Sequence, residues 1–112
     1  STKNLINKQT FSLMKKNCIL INTSRGEIVN ETDLVFALKN KIIKGAAIDV
    51  FLKEPLINDS PLYNLQNLFL SPHISGNFLE YQEIMVKQFN EMLIKFMSGK
   101  TIKNRVCKKR LY

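Results

Sequence analysis

Glycine is scarce in this chain: only four occur in 112 residues, at positions 26, 45, 76 and 99. Their spacing makes neither G-x-G-x-x-G nor G-x-x-x-x-G-K-[ST], so these residues hold no familiar backbone cradle for a pyrophosphate or a triphosphate. Cysteine is scarcer still. Cys18 and Cys107 lie too far apart to suggest a disulfide scaffold, and with a single histidine, His73, they complete no usual zinc set. No apolar run approaches the roughly 18 residues that cross a bilayer. The first eight residues hold no apolar stretch of the kind a secretory signal carries. Together these absences predict a reducing, cytoplasmic setting without membrane contact. Carboxylates are also outnumbered, 9 against 17 Lys and Arg, for a net charge of +8. That balance makes nucleic acid a partner class to weigh. The lysines are scattered, however, with one cluster at Lys108-Lys109-Arg110, and no RRM, KH or zinc-finger pattern appears, so nucleic acid is not the expected partner.

What the chain does have is a core. Apolar residues make up 45% of it, enough for one small folded domain. Asn7 is placed to cap a short helix running to about Lys16, with Phe11 and Met14 on one face. Cys18-Ile19-Leu20-Ile21 reads as a strand buried on both faces. Asn30 and Asp33 mark a helix start, and Leu34, Val35 and Leu38 give its apolar stripe, ending in Lys39-Asn40-Lys41. Gly45 to Phe51 contains a second strand, Leu68-Phe69-Leu70 a third, and two prolines punctuate the loop from Lys53 to Pro61. From about Leu79 to Met97, Tyr81, Met85, Phe89, Met92 and Phe96 recur at helical spacing, with Gly99 as the stop. Such a helix is about 30 Å long at 1.5 Å per residue, which implies that it packs on more protein than this chain supplies.

The alternation of strands and helices predicts an α/β fold with a parallel sheet. In such sheets, sites form where the strands end at their carboxyl side. Arg25 follows the first predicted strand, Asp49 and Glu54 the second, and His73 the third. A guanidinium offers a planar fork that can hold a carboxylate and polarise an adjacent carbonyl. An imidazole can move a proton near neutral pH, and a carboxylate on its other nitrogen fixes the tautomer. The set suits a reaction at a carbonyl beside a carboxylate.

Three stretches carry a resemblance. Ile21-Asn22-Thr23-Ser24-Arg25-Gly26-Glu27-Ile28-Val29, then Gly45-Ala46-Ala47-Ile48-Asp49-Val50-Phe51-Leu52-Lys53-Glu54-Pro55, then Asn67-Leu68-Phe69-Leu70-Ser71-Pro72-His73-Ile74-Ser75-Gly76 occur in order. In these motifs and their separations the chain resembles the D-isomer-specific 2-hydroxyacid dehydrogenases, over about Leu5 to Gly99. The resemblance implies a partial Rossmann-like doubly wound parallel sheet over residues 1–76, the second half of a dinucleotide-binding domain. Residues 77–112 would then be a long C-terminal helix and basic tail that pack on a substrate domain. It further implies that Arg25 binds substrate, that His73 is the acid/base and that Glu54 is its acidic partner. NAD, or alternatively NADP, would be the cofactor, with Asp49 near the nicotinamide carboxamide. Thr23, Ser24, Ser75 and Gly76 would line that end, alongside Arg25 and His73. The implied substrate is a small 2-hydroxy or 2-keto acid, and the implied complete enzyme is a homodimer. The family's substrate domain and G-x-G-x-x-G half are not in this chain, so an isolated fragment without activity, or a truncated remnant, is expected.

Plain structural readings stand beside these roles. A lone histidine is more often structural than catalytic, and Glu54 without the resemblance reads as a solvated loop carboxylate. Arg25 follows a buried strand in a Ser-Arg-Gly turn, which favours a site over a surface arginine. Asp49, inside an apolar strand, needs a partner whatever it does, and a satisfied structural carboxylate is as good a reading as cofactor contact. The Met and aromatic stripe from Tyr81 reads as packing.

Overall fold

A computed structural model describes residues 2–103 and 105–109. The chain forms two compact units, Ser1–Gly76 and Asn77–Tyr112. In the first, α1 (Lys8–Ser12) leads to β1 (Ile19–Asn22), α2 (Glu31–Lys39), β2 (Gly45–Ile48) and β3 (Leu68–Leu70). Short 3-10 turns at Gly26–Ile28 and Pro61–Asn64 interrupt the connections. The three strands form one parallel sheet in the order β1-β2-β3, with Ile21 opposite Ala47 and Ala47 opposite Phe69. Their carboxyl ends therefore share one edge, which is what the alternating sequence pattern predicts.

Local chemistry sets the helix ends. The Asn7 side chain accepts from the Gln9 and Thr10 amides, and the Thr10 hydroxyl accepts from the Asn7 amide, closing a capping box. The helix it starts stops at Ser12 rather than near Lys16. The Leu13 and Met14 amides bond back three residues to Thr10 and Phe11, tightening the chain out of the α-helix. Asn30 caps α2 through the Asp33 amide at 3.0 Å, as its sequence position predicts.

The core lies on one side of the sheet. Phe11, Leu34, Leu38, Ile43 and Leu62 are almost completely buried and cluster with Ala46 and Ile48 of β2. Each large side chain there contributes about 1.5–3 kcal/mol. The expectation that β1 is buried on both faces is corrected. Ile19 and Ile21 point to the opposite face, where they and Phe69 are exposed, while Leu20 and Asn22 face the core. The reason is that the buried cluster holds the alternate strand positions together with α1 and α2, so only one side of the pleat is covered.

The second unit contains α3 (Tyr81–Met97), with Phe78 and Tyr81 meeting edge to face at 5.5 Å between ring centres. No residue of α3 is buried. It ends in a Schellman motif: Gly99, at φ +64°, donates to the Phe96 carbonyl and Lys100 to that of Lys95. No helix among the described residues is long and apolar enough to cross a membrane. Cys18 is half-buried, Cys107 is exposed, and both are free. Of the expected basic cluster, Arg110 lies outside the described residues, as do Leu111 and Tyr112 of the tail.

Candidate active site

Three loops leave the carboxyl edge of the sheet, and each is tied down by a side chain: Asn22 for the first, Glu54 for the second, and Asp49, which follows the second strand, for the third. After β1, buried Asn22 staples the turn. Its Oδ1 accepts from the Ser24 amide and hydroxyl at 3.2 and 2.8 Å, and its Nδ2 donates to the Arg25 carbonyl at 3.0 Å. Thr23, Ser24 and Arg25 are exposed on this turn. Arg25 uses one terminal nitrogen, Nη1, on the Ser24 carbonyl at 2.7 Å. Gly26 then passes directly against the backbone of Phe51 and Leu52, and a Cβ there would overlap the Phe51 carbonyl. The absence of a side chain at position 26 is what lets the arginine turn lie beside the second loop.

After β2, the loop folds onto a carboxylate. Glu54 Oε1 accepts from the Phe51 amide at 2.9 Å, and Glu54 Oε2 meets His73 Nδ1 at 2.7 Å. The neighbouring Leu52 amide donates to Glu31 Oε1 at 2.7 Å. Both Glu54 oxygens are thus engaged, one on its own loop and one on the histidine. The histidine hydrogen bond lowers the Glu54 pKa most, with the Phe51 amide next, against an opposing effect of burial. The charges of His73 and then Arg25 lower it further. Of the groups expected at the strand ends, Glu54 and His73 meet directly; Arg25 bonds to neither, and its charge is the smallest of the effects that lower the Glu54 pKa.

After β3, Asp49 organises the loop that carries His73. It is 2% exposed. Oδ1 accepts from the Ser71 hydroxyl at 2.6 Å and the Ile74 amide at 2.9 Å, and Oδ2 accepts from the Ser75 amide at 2.9 Å. These bonds bracket Pro72 and His73 on both sides. His73 itself sits at φ +56°, in the left-handed region that non-glycine residues enter uncommonly. Burial raises the Asp49 pKa. The hydroxyls of Ser71 and Ser75 and the amides of Ser75 and Ile74 outweigh it and hold the carboxyl well below the usual range. Ser75 and Gly76 are exposed beyond this clamp.

Beside the pair lies a cleft of about 440 Å³, lined by Glu54, His73, Phe51, Pro55, Leu70 and Tyr63 among others. Arg25 does not line it. The His73 and Glu54 side chains are 48% and 35% exposed, so the imidazole is reachable from solvent. Chemically, the edge presents one imidazole with Nδ1 held by a carboxylate, and an arginine fork with most of its donors uncommitted. Among the described residues no cluster of three potential metal ligands occurs. Two organising residues, Asn22 and Glu31, do not stand out in the sequence. Asn22 is signalled only by an asparagine at a strand end, where such side chains make turns.

The family model for the D-isomer-specific 2-hydroxyacid dehydrogenase NAD-binding domain matches residues 1–75. The chain belongs to this family. It is 42% identical over 107 residues to a glyoxylate reductase of Thermococcus litoralis, covering 96% of this chain and 32% of that protein. It is 43% identical to the D-3-phosphoglycerate dehydrogenase of Escherichia coli, over 91% of this chain and 26% of that one. Among solved structures, a family member from Xanthobacter autotrophicus Py2, in complex with NADPH and MES, superposes with a TM-score of 0.87 at 30% identity. That match covers 99% of this chain and 45% of the other. The chain thus spans about a third of the length of the curated relatives it matches, and its sheet is the Rossmann-type sheet of such dehydrogenases.

Proposed function

We propose that this chain is the part of an NAD(P)-dependent D-2-hydroxyacid dehydrogenase that carries its acid/base and substrate-binding side chains. The observation that supports this most is the His73–Glu54 pair, 2.7 Å apart, on the carboxyl edge of a parallel sheet whose first strand leads into the Arg25 turn. In this reading residues 1–76 are half of the dinucleotide-binding domain, and residues 77–112 pack on a substrate domain elsewhere in the complete protein. The complete protein is a homodimer of a reducing, cytoplasmic compartment, in keeping with two free thiols.

The substrate is a small 2-keto or 2-hydroxy acid. The Arg25 fork holds its carboxylate and draws density from the adjacent carbonyl oxygen. His73 gives the proton to that oxygen from Nε2 during reduction and takes it back during oxidation. Glu54, bonded to Nδ1, keeps Nε2 turned toward the substrate and stabilises the charged ring. A nicotinamide cofactor, when bound, supplies or accepts the hydride. The residues present fit only its redox end: Thr23, Ser24, Ser75 and Gly76, exposed on the loops that carry Arg25 and His73, would face it, while no glycine pair offers a pyrophosphate cradle. Asp49 serves this end by holding the Ser71–Ser75 loop in place.

A chimera tests the proposal. This chain would replace the matching third of the Thermococcus litoralis glyoxylate reductase, and NADH and NADPH oxidation would be followed with glyoxylate. Turnover by the chimera that disappears in His73→Gln is the expected result, with no turnover by the 112-residue chain alone. A folded, cofactor-binding chimera whose rate ignores His73→Gln would overturn it.

A further inference from the structure

We propose that Glu31 is a positioning residue for the His73–Glu54 pair, an inference that rests on the dehydrogenase reading above. Glu31 is the first residue of α2 and does not line the cleft beside His73. Its Oε1 accepts from the Leu52 amide at 2.7 Å, across 21 residues of sequence. The preceding amide, that of Phe51, donates to Glu54 itself. Two consecutive amides of one loop therefore hold two carboxylates with different tasks. The Phe51 bond shapes the loop around Glu54 but fixes it to nothing outside the loop. The Leu52 bond ties that loop to the end of a helix whose Leu34, Ala37 and Leu38 belong to the core.

Gly26 supplies the complementary constraint. Its bare Cα abuts the Phe51 carbonyl, which blocks movement of the loop toward the arginine turn. Contact can only push, and the buried Phe51 side chain anchors the loop on one side only, so at Leu52 the Glu31 bond is what opposes movement away. The Glu54–His73 hydrogen bond is 2.7 Å long, and a displacement of about 1 Å takes it past useful geometry. The same helix turn carries an internal control. Asp33, two residues on, accepts from the Lys8 amide at 2.8 Å and touches a different segment. Both carboxylates favour the helix N-terminus by charge, but only one reaches the loop that carries Glu54.

The test uses the 112-residue chain and four variants. Leu52 amide exchange and the His73 ring nitrogen shifts are followed by NMR. Glu31→Ala is expected to speed Leu52 exchange about tenfold or more, the loss of one charge-assisted hydrogen bond, and to shift the His73 Nδ1 resonance. Glu31→Asp keeps the helix charge but falls one methylene short of the loop, so it should do the same in a folded chain. Glu31→Gln, whose amide oxygen still accepts, should restore both signals, and Asp33→Ala should change neither. Unaltered His73 shifts in Glu31→Asp, or equal shifts in Asp33→Ala, would overturn the proposal. These readings need no turnover, so an inactive chimera would count against the dehydrogenase reading without deciding this one.

Discussion

Gly26→Ala is the sharpest probe of how the site is assembled. A Cβ at position 26 would overlap the carbonyl carbon and oxygen of Phe51 and stand 2.5 Å from the Leu52 nitrogen, where ordinary contact begins near 3.4 Å. The opposing atoms are backbone, so no side-chain rotation relieves the clash. The loop must retreat by about an ångström, against the Leu52–Glu31 hydrogen bond and the core packing of Phe51. Overpacking of this kind costs roughly 1–3 kcal/mol, and a rigid backbone neighbour argues for the upper end. For a domain of this size that is a fall in Tm on the order of 10 °C. Two other glycines give the scale. Gly45→Ala meets only the Asn67 carbonyl oxygen, at 2.9 Å, and should cost less; Gly76→Ala meets nothing within 4 Å and should cost almost nothing. Thermal unfolding followed by circular dichroism ranks the three, and NMR reports whether Leu52 and His73 move with Gly26→Ala. Equal melting temperatures for the Gly26 and Gly76 variants would refute the reasoning, because the close approach of the two loops would then be unimportant.

Three more outcomes follow from the site. In the chimera, His73→Gln should lower kcat by at least about 100-fold, the lower limit for removing a general acid–base group; near-normal kcat in a steady-state assay contradicts the role. Arg25→Lys should raise KM for the keto acid and lower kcat, because an ammonium cannot replace the planar fork, and unchanged constants would remove Arg25 from the substrate site. Asp49 and Glu54 are both held below their ordinary values of 3.8 and 4.5 in the folded chain. The unfolded chain therefore binds protons first on acidification, so their stabilisation is complete above about pH 5 and is lost as pH falls through the carboxylate range. Urea unfolding against pH should show that acid limb, flattened in Asp49→Asn; an identical limb in the variant would show that Asp49 does not contribute it.

The sequence is most informative where one rule decides. Strand β3 falls on Leu68–Leu70 as read, because Pro72 and polar neighbours bound it tightly. Helix α2 runs from Glu31 to Lys39 because the Asn30 cap and a basic stretch mark its ends. Arg25, Glu54 and His73 fall on loops at one edge because parallel topology sends all three strand ends there, which the alternating pattern already implies. Burial of β1 could not be read correctly, since a run of four apolar residues looks alike whether one face or two are covered. The anchors were hidden for a different reason. Glu31 and Leu52, or Asp49 and Ser75, are linked by side chain to backbone across more than 20 residues, and a backbone amide has no letter in the sequence. The left-handed His73 likewise sits between residues that Asp49 holds, a contact no letter of the sequence announces.

The division of charge at the sheet edge argues for the kind of ligand it receives. Each carboxylate there is committed to the protein: Asp49 to three donors in the third loop, Glu54 to Phe51 and His73, Glu31 to Leu52. Their negative charge is turned inward, onto amides and one imidazole nitrogen, and two of them have pKa values lowered as a result. Most of the Arg25 fork remains as spare donors, with the second imidazole nitrogen, which donates when the ring carries both protons, exposed on the third loop. A surface on which acceptors are spent and donors are spare gains most from a ligand that brings paired oxygens and negative charge of its own. A 2-keto acid does so, with the carboxylate for the arginine and the carbonyl oxygen for the imidazole. Reversing that balance by Glu54→Gln would leave the arginine fork in place while weakening the hold on the histidine, so binding of a carboxylate should survive where proton transfer fails.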